Sequence, residues 1–140
     1  MNLKTTSFYI PMNSYVADTM AIVLYLESRK LPNNNKKIFA EVEQAKATIY
    51  FSTVSLMEIG YLSEKLRINT SISSVLKLTQ ENKNFEVYPL SAEIVIEAFK
   101  IKNVPELHDR LITATAAVLG NTLITNDPII RKSQYVDTIW

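Results

Sequence analysis

Asp18, Glu58, Asp109 and Asp127 are the residues through which this chain could do chemistry. Asp18 closes the run Tyr15-Val16-Ala17-Asp18-Thr19, Asp109 lies in Leu107-His108-Asp109-Arg110, and Asp127 ends Leu123-Ile124-Thr125-Asn126-Asp127. Glu58 follows a further apolar run, Thr48-Ile49-Tyr50-Phe51-Ser52. Each aspartate stands at the end of a strand-like run or in the first turn of a helix-like one. Strand ends in a parallel α/β sheet share one edge, where such sheets place their ligands. Carboxylates far apart in sequence would converge there. With no Cys and a single His, His108, a converged acidic cluster points to a hard divalent cation acting on phosphate.

Each acid also has a purely structural use. Asp18 suits a helix N-cap, worth about 1 kcal/mol, and Asp127 before Pro128 suits one better. Asp109 near a helix start would favour the helix dipole, and Glu58 would serve as a solvated helix residue. Together these uses fit less well. Two unit charges about 4 Å apart repel by about 4 kcal/mol at an effective dielectric near 20, more than a cap returns. Mg²⁺ or Mn²⁺ would offset that repulsion with oxygen ligands. His108 reads as a supporting or packing residue, because its one evident acidic neighbour in sequence is Asp109.

The elements that must position these residues alternate. Tyr15 to Ala17 predicts a strand, followed by a helix from Thr19 to about Ser28 with Met20, Val23, Leu24 and Leu26 on one side. Leu31-Pro32-Asn33-Asn34-Asn35 is a loop signal. A helix follows over 36–47, with Ile38, Phe39, Val42 and Ala45 at helical spacing. Thr48 to Phe51 is strand-like, and Ser52 or Thr53 caps a helix running through Glu58 to about Lys65. Then come a helix over 71–80, a strand over 86–90 and a helix from Ser91 to about Lys102. Pro105 suits a helix first turn, and the helix Leu107 to Leu119 ends at Gly120 as a C-cap would. A strand over 122–125, a short helix over 128–132 and a strand over 136–140 close the chain. Such alternation implies an α/β fold, a mostly parallel sheet covered by helices on both faces.

Composition bounds the reading. A chain of 140 residues, 47% hydrophobic and 21% charged, fits one globular domain over 12–140. Residues 1–11 lack periodicity and read as a peripheral segment, with Met12 as an alternative start. A net charge of +1 announces no global attraction for nucleic acid, so phosphate contacts must be local. No apolar run approaches the roughly 20 residues of a membrane span, and no signal-peptide pattern is present, which makes a cytoplasmic location the expectation. Neither of the two glycines belongs to a phosphate-cradling loop. Aspartyl phosphotransferases resemble Asp-x-Asp, but Met20 stands at the second acidic position. A receiver domain expects a central Asp and a late Lys, and 48–58 lacks the Asp while no Lys follows the strand over 122–125.

At these residues the chain resembles the PIN-domain ribonucleases, in particular the VapC-type toxins of bacterial toxin–antitoxin pairs. Tyr15-Val16-Ala17-Asp18-Thr19 is similar to the family's opening strand. Ser52-Thr53-Val54-Ser55-Leu56-Met57-Glu58 is similar to the segment that brings its glutamate. His108-Asp109-Arg110-Leu111-Ile112-Thr113-Ala114-Thr115-Ala116 is the most specific stretch, followed by Leu123-Ile124-Thr125-Asn126-Asp127. The resemblance implies a PIN fold and a metal-dependent endoribonuclease in which Asp18, Glu58, Asp109 and Asp127 form an acidic quartet. It makes Asp18 and Asp109 direct ligands of Mg²⁺ or Mn²⁺, with Glu58 and Asp127 holding a second ion or bound waters. Thr19 and Thr125 are the accompanying hydroxyls. Arg110, Arg67, Lys65 and the Arg131-Lys132 pair are candidate RNA phosphate contacts. The resemblance also implies a homodimer and a small antitoxin, for which Tyr61, Leu62 and Leu66 offer a surplus apolar face. A PIN ribonuclease of RNA processing or decay is the alternative, and a non-catalytic PIN module a more distant one.

Overall fold

The computed structural model describes residues 12–140. The reading of 1–11 as a peripheral segment lies outside the described residues. Among the described residues five strands, β1 (Asn13–Ala17), β2 (Ala47–Ser52), β3 (Phe85–Tyr88), β4 (Thr122–Ile124) and β5 (Thr138–Ile139), alternate with seven helices. These are α1 (Thr19–Leu26), α2 (Asn33–Glu43), α3 (Thr53–Glu64), α4 (Ile72–Glu81), α5 (Ala92–Ala98), α6 (Leu107–Leu119) and α7 (Pro128–Ser133). The sheet runs β3-β2-β1-β4-β5, and every pairing is parallel. The expected α/β class is the observed one.

Strand alternation builds a core on each face. Tyr15, Ala17, Ile49, Phe51 and Ile124 pack on one side with Ile22, Phe39 and Phe85. Val16, Tyr50 and Leu123 point to the other, against Ile94, Ile112 and Ile130. Burial on both faces explains why β1, β2 and β4 read as near-continuous apolar runs. On the first face the Tyr25 and Phe39 rings stack with centroids 4.2 Å apart.

The order places β1 centrally. From β1 the chain winds outward through β2 to β3, then crosses back to lay β4 on the other side of β1. The direction of winding therefore reverses between β1 and β4. A crevice opens outside the carboxyl ends of two strands at such a reversal. Ala17 pairs with Ile124 in the β1–β4 ladder, and Asp18 extends it by donating its N–H to the Ile124 carbonyl at 3.0 Å.

Several boundaries differ from the sequence expectation. The Asn-rich stretch is not loop throughout: Pro32 occupies the N-cap of α2 with φ −59°, so Asn33, Asn34 and Asn35 form its first turn. The helix expected to reach Lys102 stops at Ala98. Pro105 precedes the N-cap instead of entering α6, because Glu106 takes the cap and accepts from the His108 and Asp109 N–H groups. The closing strand is two residues long.

Candidate active site

Asp18 follows β1 and caps α1. Its Oδ1 accepts from the Ala21 N–H at 2.9 Å. Asp127 caps α7 in the same manner, with Oδ1 accepting from Ile129 at 2.8 Å and Ile130 at 3.2 Å. The structural readings of both acids therefore hold. They do not exhaust the acids, since a carboxylate has about four lone-pair sites and a cap uses one oxygen. Asp109 is the third residue of α6, whose N-terminal turn is tied by Glu106 Oε1 accepting from the Asp109 N–H at 3.1 Å.

Glu58 arrives from the middle of α3. Its Oε1 accepts from the Thr19 hydroxyl, which also lies 3.1 Å from Ser55 Oγ. A hydroxyl has one proton. With Thr19 donating to Glu58, the Ser55 hydroxyl completes the second contact. Thr125 is fully buried and accepts from the Asp127 N–H at 3.1 Å, and its hydroxyl also bonds Asp18. Thr19 and Thr125 each thus tie together residues from different segments of the chain.

All four acids line one cleft of ≈ 440 Å³, shared with Thr19, Met20, Leu62, Asn126 and Trp140. No Lys or Arg is among the described lining residues. Electrostatics follow directly. Burial, then the charges of Asp127, Glu106, Glu58 and Asp18, push the Asp109 carboxyl up to about 7. Asp18 is also raised, by burial first, and the Thr125 hydroxyl and Ala21 N–H only partly oppose this. Burial and like charge both disfavour the ionised form, so these shifts follow from carboxylates gathered in one cleft. An all-oxygen donor set of this kind fits Mg²⁺ or Mn²⁺.

His108 lies differently from the sequence reading. Its Nδ1 stands 3.3 Å from Glu106 Oε2 and 3.8 Å from Glu58 Oε2, so its acidic neighbours are these two and not only Asp109. Glu58, Glu106 and His108 bring one ligand atom each within 4.8 Å of one another. Arg110 does not line the cleft. Its Nε donates to the Val104 carbonyl and its guanidinium sits 6.0 Å over the Phe99 ring.

Sequence reasoning missed Glu106, Ser55, Asn126 and Trp140. For Glu106 a signal existed, since an acid directly before the Leu107 helix is positioned to cap it. Trp140 is well separated in sequence from all four cleft acids, and the pairing of β5 with β4 brings it near.

Residues 15–133 match the sequence pattern of the PIN domain family. The chain belongs to that family. No curated protein matches it by sequence, whereas solved structures do by fold. VapBC2 of Rickettsia felis, solved with a promoter DNA fragment, is 18% identical with a TM-score of 0.66, covering 90% of this chain and 97% of that one. DNA-bound VapBC of Salmonella typhimurium is 17% identical with a TM-score of 0.67, covering 91% and 98%. FitAcB of Neisseria gonorrhoeae is 20% identical with a TM-score of 0.62, covering 90% and 96%. Among the described residues, no helix of this PIN domain is long and apolar enough to cross a membrane.

Proposed function

We propose that this PIN domain is a Mg²⁺- or Mn²⁺-dependent endoribonuclease and the toxin of a toxin–antitoxin pair. One observation carries the catalytic reading: four acids from four separate segments line one cleft, with no Lys or Arg among the described lining residues. A structural cap needs no such convergence. The likeness in fold to VapBC and FitAcB structures supports the toxin reading.

In this reading Asp18 and Asp109 would hold the ion directly, while Glu58 and Asp127 would hold a second ion or metal-bound waters. A bound divalent cation supplies charge neutralisation and lowers the barrier to hydrolysis at phosphorus. The water oxygen adds to phosphorus, the bond to one bridging oxygen breaks, and that oxygen leaves with a proton. Thr19 fixes one Glu58 oxygen by a hydrogen bond, while the other lies 3.8 Å from His108 Nδ1. Thr125 and the caps fix Asp18 and Asp127. Such prior orientation removes reorganisation from the reaction step. Incubating purified protein with single-stranded RNA and Mg²⁺ or Mn²⁺ tests the proposal. Cleavage that stops in excess chelator and resumes on restoring the ion is expected. Cleavage undiminished by chelator would refute metal dependence, and no cleavage of any RNA with either ion would refute the nuclease.

A further inference from the structure

Among the described residues the acidic cleft has no Lys or Arg, so a polyanionic strand entering it requires positive charge close by. Three other surface depressions lie around this side or the neighbouring helices. One, lined by Met57, Glu58, Tyr61, Leu62 and His108, shares Glu58 and Leu62 with the cleft but contains no Lys or Arg. A second, containing Arg29 and Arg67, shares no residue with the cleft. The third is formed by Asn126, Pro128, Arg131, Lys132 and Thr138 and meets the cleft at Asn126.

That third depression differs from the rest in combining contact with the cleft and positive charge. Its two cations are exposed, and neither has a carboxylate within ion-pair distance among the described residues. Helix α7 sets the spacing. Asp127 caps it inside the cleft, and Arg131, whose N–H returns to the Asp127 carbonyl at 3.0 Å, stands one turn on. Four residues advance the helix axis by about 6 Å. A single rigid element therefore presents a cleft carboxylate at one end and two free cations at the other. The sequence marked this pair as phosphate contacts among several, and its position now separates it from Arg110, Arg67 and Lys65.

We infer that single-stranded RNA leaves the acidic cleft over Asn126 and lays its next phosphates on Arg131 and Lys132. The inference rests on the ribonuclease reading and adds a direction for the strand. Each phosphate contact on a single strand contributes about 0.7 to the slope of log affinity against log salt. Losing two contacts thus lowers the slope by about 1.4.

The chain's one tryptophan, Trp140, lines the cleft, so its fluorescence reports binding. Titrate an oligoribonucleotide into Asp18→Asn protein, chosen because loss of the carboxylate is expected to stop turnover, at several salt concentrations. Compare this background with Arg131→Gln/Lys132→Gln and with Arg29→Gln/Arg67→Gln added to it. About tenfold weaker binding and a slope reduced by one to two units are expected for the first pair, and less than a twofold change for the second. All three proteins should melt alike, since the substituted side chains are exposed. Unchanged affinity and slope for the first pair, or a larger loss for the second, would overturn the path while leaving an RNA-cleaving wild type, and so the ribonuclease reading, intact. A wild type that neither binds nor cleaves RNA would instead refute the reading beneath it.

Discussion

Asp18 illustrates how one residue serves fold and chemistry together. As a cap it satisfies a backbone N–H of α1, and its charge adds to the repulsion felt by Asp109. Asn caps as well as Asp but cannot hold a divalent ion. Asp18→Asn is therefore expected to abolish cleavage while leaving metal-free stability unchanged or slightly raised. The Tm gain from added Mg²⁺ or Mn²⁺ should shrink, because a ligand stabilises only the state that binds it. Wild-type cleavage rates in that variant would remove Asp18 from the site. Asp109 gives a pH test. Its folded-state carboxyl is raised from 3.8 to about 7, so the folded protein holds a proton that the unfolded chain has released. Its stabilising contribution is full below about pH 4 and is lost as pH climbs through about 7. Without metal, thermal stability should fall across that window. Asp109→Asn should flatten the fall and gain roughly 1–2 kcal/mol at pH 8, a figure discounted for a half-exposed group. A wild-type melting curve that does not change across the window would contradict the electrostatic picture. The three aspartates stood out in sequence because each ends or opens a periodic run, whereas Glu58, in the middle of α3, stood out through the family resemblance. The approach of His108 to Glu58 was not legible, since it depends on how α3 and α6 face one another.

At the scale of elements, the starts of helices were easier to read than their ends. Ser52, Ser71, Ser91 and Asp127 all cap the helices that follow them, as side-chain oxygens before apolar runs predict. The ends rest on a motif the sequence shows only once. Gly120 turns left-handed at φ +67°, and the following Asn121 N–H reaches back to the Ala116 carbonyl at 2.9 Å. Ser28, Ala45 and Leu66 make the same turn after α1, α2 and α3, with the next N–H returning to Leu24, Glu41 and Leu62. None of the three is Gly, so the ordinary stop signal is missing and the expected helices over 19–28 and 36–47 run past their ends. A left-handed non-Gly residue is strained by roughly 1–2 kcal/mol, a penalty smaller for Asn. Leu66 is 90% exposed, so its side chain contributes little burial to oppose that strain. Leu66→Asn should accordingly raise stability by roughly 0.5 kcal/mol. Chemical denaturation measures this, and a loss instead of a gain would show that Leu66 packs in solution. At Gly120, where nothing stands within 4 Å of an added Cβ, Gly120→Ala should cost about 1 kcal/mol through backbone strain alone.

At the scale of the molecule, the cleft lies between two unlike surfaces, a basic one beyond Asn126 and an apolar one beyond Glu58. The apolar depression, of ≈ 550 Å³ and lined by Met57, Glu58, Tyr61, Leu62 and His108, leaves Met57 52% and Tyr61 58% exposed. These side chains occupy the outer face of α3, the helix that also delivers Glu58. The alternation of strands and helices made the sheet legible, but this adjacency comes only from the packing of α3 beside α1 and α6. An inhibitory protein that covers the depression would reach Glu58 and the cleft without a further patch. In the toxin reading, expressing this chain alone should arrest growth, and co-expressing a small antitoxin encoded beside it should restore growth. Tyr61→Ser and Met57→Ser test where the antitoxin sits. Both side chains are exposed and lie outside the acidic quartet, so RNA cleavage by the purified variants should stay within about twofold of wild type. If the antitoxin packs on the depression, truncating its apolar anchors should weaken the complex by about 1–3 kcal/mol per anchor. Growth arrest should then persist despite co-expression. Full rescue of both variants would move the antitoxin to another face, and normal growth with soluble, RNA-cleaving wild-type protein would favour a ribonuclease of RNA processing or decay.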